Sequence, residues 1–422
     1  MRILHLIHQY LPEKVGGTEL YTQTLARHQA QQGHTVTLFT PTTTTTITDY
    51  RLPITDNGLQ IYRIPIGERT PTAVLRSNFH HPALSRAFAQ VLAQEKPDVV
   101  HVQHLMGLPF GLAQQIRRAG IPLVITLHDY WYVCANAQLL TNYDETVCSG
   151  PNWWLNCARC ALARVGHPNA LPAIPLLAPL FAYRHGRTQT ILRRAATLIA
   201  PTQFTADIYR QLAGIANAIH IIPHGLDLPT TMPPKKPHDG LHIAFIGGIA
   251  PQKGLHILIE ALNQLTDHRL PITDNRLHLT IYGDLTAFPD YAARLQQQAT
   301  HPGITFAGQL PHAQLWETLA DNDLIVAPTL WYETASLIVQ EAFAAGVPVV
   351  ASDIGVLPER IRAGVDGLLF PPGDVAALAG ILRRLQETPA ELAQLRAGIQ
   401  PVFTIQEHVA RVTAVYAQTR DA

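Results

Sequence analysis

Charge is scarce in this sequence. Asp, Glu, Lys and Arg make up 15% of its 422 residues, against roughly a quarter in an ordinary soluble chain. The 31 basic residues cancel the 31 acidic ones, so the chain has no strong field to draw in a polyanion, and nucleic acid is excluded as its main partner. Four cysteines are too few to staple a disulfide scaffold of this length. There is no run of about 18 apolar residues, which excludes a membrane-spanning helix. The first apolar run, Ile3–Ile7, is too short for a secretory leader and no small-residue cleavage site follows it. A cytoplasmic location is expected, with contact at the inner face of the plasma membrane left open. The 21 histidines are scattered and are read as surface or satisfied core residues.

Apolar residues are abundant, at 47%, and the length is enough for two or three domains of about 150 residues, each with its own core. Short β-branched runs alternate with stretches of helical period, the pattern of βαβ units around a parallel sheet. Strands are expected at 2–7, 34–40, 59–64, 98–102, 121–127, 196–200 and 218–223, with helices including 17–32, 82–95 and 107–119. A polar stretch from Asp227 to Gly240, with prolines at 229, 233, 234 and 237, reads as a linker. The alternation then restarts: strands at 241–247, 277–283, 303–307, 323–327, 347–351 and 367–371, helices near 253–265, 289–299, 311–320, 335–345, 356–363 and 374–386. The expected fold class is α/β, with two Rossmann-like doubly wound parallel-sheet domains facing a cleft, where such sheets place ligands. Domain boundaries are expected at 1–226 and 227–404, with a C-terminal helix over 405–422 returning to the first domain. The hexapeptide Leu-Pro-Ile-Thr-Asp-Asn occurs at 52–57 and again at 270–275; nothing functional follows from it.

The segment Trp331-Tyr332-Glu333-Thr334-Ala335-Ser336-Leu337, continuing to Glu341, follows the strand Leu324–Ala327. A helix starting near Thr334 would present free amides, an anion site, beside two carboxylates eight residues apart. At ~1.5 Å rise per residue those carboxylates stand roughly 12 Å apart along the axis, a span suited to a long polyhydroxylated ligand. A carboxylate accepting two hydroxyl hydrogen bonds grips a ribose or hexose, and helix amides hold a diphosphate. The plainer alternative is an acidic N-cap followed by a surface Glu. Ahead of this segment, Phe245-Ile246-Gly247-Gly248-Ile249-Ala250-Pro251-Gln252-Lys253-Gly254 opens onto an apolar helix. Its glycines allow close approach of a ligand to the backbone and Lys253 could neutralise phosphate, although a tight turn with a solvated lysine is the favoured reading of these residues alone.

In this order, the segments resemble the retaining nucleotide-sugar glycosyltransferases of family 4, which have the two-lobed GT-B fold. The resemblance spans the chain. Gly16-Gly17-Thr18-Glu19 is similar to the family's glycine loop near the donor phosphates, and His128-Asp129 to its His-Asp pair at a strand end. Pro201-Thr202-Gln203-Phe204 and Ile222-Pro223-His224-Gly225-Leu226-Asp227 resemble its interdomain signatures, and Gly283-Asp284, Gly308, Glu341-Ala342, Gly346-Val347-Pro348-Val349 and Pro358-Glu359 fall in the family's order. The resemblance implies an acceptor-side first domain and a second domain that binds a UDP-, GDP- or similar sugar donor. It implies that Glu333 holds hydroxyls of the transferred sugar, that amides around Thr334, Ala335, Ser336 and Leu337 hold its phosphate, and that Glu341 binds the ribose. Lys253 would bind the diphosphate, and His128 the sugar from the other lobe. No metal is implied for catalysis, because basic groups and helix amides stabilise the departing diphosphate.

Two departures stand out. Gly248 occupies the place of an arginine that usually joins the lysine on the diphosphate, and Val356 replaces the second of a usual glycine pair before Pro358-Glu359. The missing arginine keeps open a catalytically weak sugar-nucleotide-binding subunit, and the scaffold itself keeps open a sugar-nucleotide epimerase; the Glu-x7-Glu segment argues for transfer. The expected activity is movement of a hexose-type sugar to a glycan or lipid-linked acceptor in cell-surface polysaccharide synthesis.

All four cysteines, Cys134, Cys148, Cys157 and Cys160, fall in an insertion of about 130–165 after His128-Asp129. In a reducing compartment that clustering suggests a structural zinc site, or alternatively reduced thiols packed with Trp153 and Trp154. Residues 170–183 are apolar and are followed by Arg184, Arg187, Arg193 and Arg194. Three prolines in fourteen residues cannot span a bilayer. An ordinary helix–sheet contact is the favoured reading, with a ridge for anionic lipid or a lipid-linked acceptor as the alternative.

Overall fold

The computed structural model describes residues 1–44, 52–56, 58–265 and 277–421. The chain forms two compact units, one of Met1–Asp227 together with Phe403–Ala422, the other of Leu228–Val402. The second copy of the hexapeptide, at 270–275, lies outside the described residues.

In the first unit, β1 (Arg2–Leu6), β2 (Thr35–Thr42), β3 (Ile54–Asp56), β4 (Leu59–Pro65), β5 (Val99–Val102), β6 (Leu123–Thr126), β7 (Thr197–Ala200) and β8 (Ile219–Ile221) lie in the order β3-β4-β2-β1-β5-β6-β7-β8. Every neighbouring pair is parallel except β3 with β4. Strands β5, β6 and β7 are buried throughout, which is why they read as unbroken apolar runs rather than alternating ones. The helices between them are α1 (Gly17–Gln31), α2 (Pro71–Phe79), α3 (Pro82–Glu95), α4 (Gly111–Arg118), α5 (Leu155–Arg164), α6 (Ile174–Arg193) and α7 (Gln203–Ala213). Local chemistry sets their ends. Thr70 caps α2 by accepting from the Ala73 amide, His81 caps α3 by accepting from Leu84, and each helix has proline in its first turn. Lys96 then turns left-handed ahead of Pro97 and stops α3.

The second unit carries β9 (Leu241–Ile246), β10 (Leu277–Tyr282), β11 (Ile304–Gly308), β12 (Leu324–Ala327), β13 (Val349–Ser352) and β14 (Gly367–Phe370) in the order β11-β10-β9-β12-β13-β14, all parallel. Its helices are α8 (Leu255–Asn263), α9 (Pro289–Gln298), α10 (Leu315–Ala320), α11 (Leu337–Ala344), α12 (Leu357–Arg360), α13 (Val375–Glu387) and α14 (Pro389–Gly398). The strand order reverses between β9 and β12, so the loops leaving those two strands diverge and open the crevice that doubly wound sheets use for ligands. Two apolar clusters fill this unit on opposite sides of its sheet: Ile243, Leu258, Leu279, Leu295 and Leu382 in one, Ala244, Ile325, Val339, Val349 and Leu357 in the other.

The last helix, α15 (Ile405–Asp421), belongs to the first unit. Its Ile405, Val409, Val412, Val415 and Tyr416 pack with Ile3, Leu25, Val99 and Val124. The returning chain is pinned where it meets the outgoing one: Leu226 donates to the Phe403 carbonyl at 3.0 Å and Ile405 to the Leu226 carbonyl at 2.9 Å. Gly225 makes this crossing possible, because a Cβ there would lie 2.4 Å from the Thr404 carbonyl oxygen and 2.6 Å from His408 Cβ. Gly225→Ala is therefore expected to lower stability by about 1–3 kcal/mol, the usual cost of overpacking. Gly186→Ala, whose Cβ meets nothing within 4 Å, should cost nothing; urea denaturation of both variants checks the contrast.

Candidate functional site

The site is built where β9 and β12 part. Gly247 donates to the Tyr282 carbonyl at 3.0 Å, and a Cβ on Gly283 would lie 2.3 Å from the Gly247 carbonyl oxygen, so the ends of β9 and β10 touch through bare backbone. Pro251–Lys253 forms one turn of 3-10 helix, and Gly254 follows with φ +68°. A side chain at Gly254 is doubly excluded, by its left-handed backbone and by the Pro328 carbonyl oxygen 1.9 Å from any Cβ. The Gln252 carbonyl then accepts from Leu330 N at 2.8 Å and Thr329 Oγ1 at 3.2 Å, tying the loop after β9 to the loop after β12.

That tie delivers Lys253 to Glu333. Lys253 Nζ lies 2.6 Å from Glu333 Oε1, with the side chains 29% and 15% exposed. Trp331 Nε1 donates to the same oxygen at 3.3 Å, and the ammonium stands 5.6 Å from the Trp331 ring centroid. Two residues read from sequence as separate ligand contacts are thus one ion pair with an aromatic wall. Trp331 and Gln252 were not singled out for these roles; the signal for Trp331 was its place two residues before Glu333.

Helix α11 corrects the sequence reading. It begins at Leu337, not near Thr334, because Ser336 has φ +48° and a left-handed residue cannot continue the helical ladder backwards. Thr334 and Ala335 lie in the preceding bend, and the first helical amides are those of Leu337 and Ile338. Glu341 stands on this helix half-buried, and its carboxyl has no hydrogen bond or ion pair among the described residues. Burial pushes its pKa up to about 7.

Other predicted residues are placed differently. Asp284 is exposed and spends Oδ1 on the Thr286 amide and hydroxyl, at 2.8 and 2.6 Å, which lower its pKa and make it a turn former. A Cβ at Gly248 would meet nothing within 4 Å, so its missing arginine leaves open space. Val356 is fully buried with ordinary helical backbone, φ −79° and ψ −16°, so the glycine it replaces was not needed for left-handed geometry; the preceding Gly355, at φ +62°, carries that requirement against Tyr332.

Gly16, Gly17, His128 and the cysteines belong to the first unit. Gly16 precedes α1 in extended backbone, with buried Glu19 in the first turn accepting from Gln9 at 3.0 Å. His128 is buried, its Nε2 2.8 Å from Gln103 Oε1. Burial, reinforced by His104, pushes its imidazole down to about 3, so it is neutral at physiological pH. Asp129 is held by His104 Nε2 and the Trp131 amide, both at 2.8 Å. Behind them a buried polar network runs through the sheet: His5 bonds Gln29 and Gln103, and His101 bonds Thr126 and the Tyr416 hydroxyl of α15. These histidines are satisfied core residues, but their assembly into one network was not read from the sequence; its trace there is the cross-strand register of His5 with His101.

The four thiols line one pocket with Trp131 and Arg184. Among the described residues, no three His, Cys, Asp or Glu side chains converge as the ligands of one ion; this side-chain arrangement matches the alternative of reduced thiols. Burial pushes the Cys157 thiol up to about 12 and Cys160 up to about 11; both are neutral, weakly polar lining. On α6, Ala178 and Phe181 are buried, whereas Leu176 is 81% and Tyr183 57% exposed, which corrects the expectation of a plain core contact over 170–183. No helix among the described residues is long and apolar enough to cross a membrane.

Two parallel Rossmann-like units with this strand order define the GT-B class. Residues 15–229 match the model of Glycosyltransferase Family 4, and residues 240–388 that of Glycosyl transferases group 1. The chain belongs to glycosyltransferase family 4 and is a glycosyltransferase. It is 28% identical over 423 residues to D-inositol 3-phosphate glycosyltransferase 1 of Catenulispora acidiphila, covering 95% of this chain and 90% of that one. It is 26% identical over 426 residues to MMP alpha-(1->4)-mannosyltransferase of Mycolicibacterium hassiacum, covering 95% and 94%. Among solved structures it resembles sucrose-phosphate synthase from Thermosynechococcus elongatus (TM-score 0.75, 19% identity, 99% of both chains) and HepE of Anabaena in complex with UDP and glucose (TM-score 0.68, 19% identity, 99% of both chains).

Glu341 has a stability consequence. Its folded pKa is raised from 4.5 to about 7, so the folded state prefers the protonated form. The associated stability is fully present below the unfolded value and is lost as pH rises towards 7. Glu341→Gln should therefore leave the melting temperature little changed at pH 4.5 and raise it by several degrees at pH 8, as scanning calorimetry would show.

Proposed function

We propose that this glycosyltransferase moves a hexose, with retained anomeric configuration, from a UDP-, GDP- or similar nucleotide donor to a hydroxyl of a glycan or lipid-linked acceptor. The reaction would take place in the cytoplasm, in cell-surface polysaccharide synthesis. The observation that carries this reading is the half-buried carboxyl of Glu341, without a partner among the described residues, on a helix whose first amides lie at Leu337 and Ile338. A carboxylate out of water needs donors, and two ribose hydroxyls supply them. Gly17 and Gly248, where a Cβ would meet nothing within 4 Å, leave backbone open to a donor, with Gly16, Gly247 and Gly283 shaping the turns beside them. The helix amides hold phosphate, Lys253 turns from Glu333 towards the diphosphate, and Glu333 then receives sugar hydroxyls. His128 serves as a neutral hydrogen-bonding partner for the sugar.

In the transfer step, the bond between the anomeric carbon and the diphosphate breaks and its electron pair leaves with the nucleoside diphosphate. The acceptor oxygen bonds to the same face, and its proton passes to the departing phosphate. Lys253 and the amides stabilise the charge that develops there, and no covalent enzyme intermediate or metal is required. The likeness of the fold to HepE, solved with UDP and glucose, and the full-length relationship to named glycosyltransferases support this reading.

Nucleoside diphosphate release, followed across a panel of sugar donors and acceptors, tests it. Glu333→Ala and Glu341→Ala should each lower turnover by about 10²-fold or more, and near-normal turnover in both would defeat the assignment. Gly248→Arg, entering open space, should tighten diphosphate binding by about tenfold, the worth of one added charge-assisted contact.

A further inference from the structure

The first unit contains two adjoining cavities of opposite character. One, of about 470 Å³, is lined by Arg69, Arg76, Arg86, His80 and His81, and Glu68 is its one carboxylate among the described residues. The other, of about 420 Å³, is mostly apolar, with Leu75, Met106, Trp131, Leu177, Leu180 and Phe181 in its lining; Lys14, Arg164 and Arg184 also line it, and no carboxylate does among the described residues. Both volumes lie within the roughly 300–1,000 Å³ of small-molecule sites. Arg69 and Val74 line both.

Arg69 is planted at this junction. Its Nη1 donates to the His8 carbonyl at 3.0 Å and its Nη2 to the Met106 carbonyl at 3.3 Å. Both partners are backbone carbonyls, and no carboxylate forms an ion pair with it among the described residues; burial lowers its pKa, while Glu13 and Glu19 act on it at longer range in the opposite direction. Arg76 and Arg86 are exposed at the mouth of the cationic cavity. The apolar cavity opens beside α6, where Leu176, Leu180 and Tyr183 stand exposed at i, i+4 and i+7, one stripe of that helix. A largely apolar chamber that shares Arg69 and Val74 with an arginine-lined one matches a molecule that has a long hydrocarbon chain joined to a strong anion; neither a free sugar nor a neutral glycan uses both halves.

We propose that this site binds a lipid phosphate, with the hydrocarbon chain among α2 and α6 and the phosphate or diphosphate at Arg69, Arg76 and Arg86. This rests on the transferase reading above and names its acceptor: a saccharide carried on a lipid phosphate, whose sugar hydroxyl receives the transferred hexose. The arginines read the phosphate by paired, charge-assisted hydrogen bonds, and the apolar chamber supplies affinity by burying the chain.

The test is calorimetric titration of the full chain with dodecyl phosphate below its micelle concentration, against dodecanol, inorganic phosphate and dodecyl maltoside. Dodecyl phosphate should bind at least tenfold more tightly than any of the three. Arg76→Glu with Arg86→Glu, and separately Leu180→Asp, should each weaken it at least tenfold. Stabilisation of each variant by nucleoside diphosphate, read on heating, should match that of the parent chain and so report an intact fold. Equal binding of dodecyl phosphate and dodecanol, or charge reversal without effect, would overturn the proposal. So would failure of the monomer to bind while phosphatidylglycerol vesicles bind through the same residues, which would mark a membrane-resting surface instead. If no nucleoside diphosphate stabilises the parent chain, the transferase reading fails separately, because dodecyl phosphate binding does not depend on the donor.

Discussion

A carboxyl group withdrawn from water without a partner costs free energy, and the fold of the second unit is arranged to keep one. Glu341 sits on a short helix whose start is fixed by the left-handed Ser336, on the strand–helix connection next to the reversal of strand order. No described residue gives it a hydrogen bond or ion pair, and burial pushes its pKa up to about 7. Strongly perturbed carboxyls cluster at binding and catalytic sites. Beside helix amides and the Lys253–Glu333 pair, this one fits half of an interaction that a ligand's hydroxyls would complete.

The rest of the second unit serves that placement. Gly254 and Gly283 are required because neighbouring backbone fills the space where their side chains would be, and these contacts draw the ends of β9, β10 and β12 together. With the loops bound by the Gln252 carbonyl, the cation and the first carboxylate meet at 2.6 Å. A charge pair that is partly shielded from water and braced by Trp331 is preorganised: under the proposed function, a donor would exchange one set of strong contacts for another without reordering the loops.

Much of this could be read from residues alone, because parallel strands buried on both faces leave unbroken apolar runs and the linker after Asp227 interrupts them with proline. The strands of both sheets follow from that pattern, except β3, a three-residue exposed edge without apolar periodicity. Helix α2 is short and depends on its Thr70 cap and first-turn proline more than on amphipathicity, and α6 hides its buried face under the prolines of its first turns. Glu333, Glu341 and Lys253 were legible by spacing. The start of α11 was not, since a serine in left-handed backbone is enforced by tertiary context. The pairing of Lys253 with Glu333 was not either, since it depends on the tie between two loops eighty residues apart. The cysteines' clustering in sequence does bring all four to one pocket.

Proton linkage tests the central claim most directly. Nucleoside diphosphate binding, measured by calorimetry at pH 7 in buffers of different ionisation enthalpy, reports the protons released per ligand bound. Hydrogen bonds from ribose hydroxyls favour the ionised form of Glu341, so the parent chain should release up to about half a proton more than Glu341→Gln and bind more tightly at pH 8 than at pH 6. Identical proton release in the two proteins would contradict the assignment of that carboxyl to the ligand.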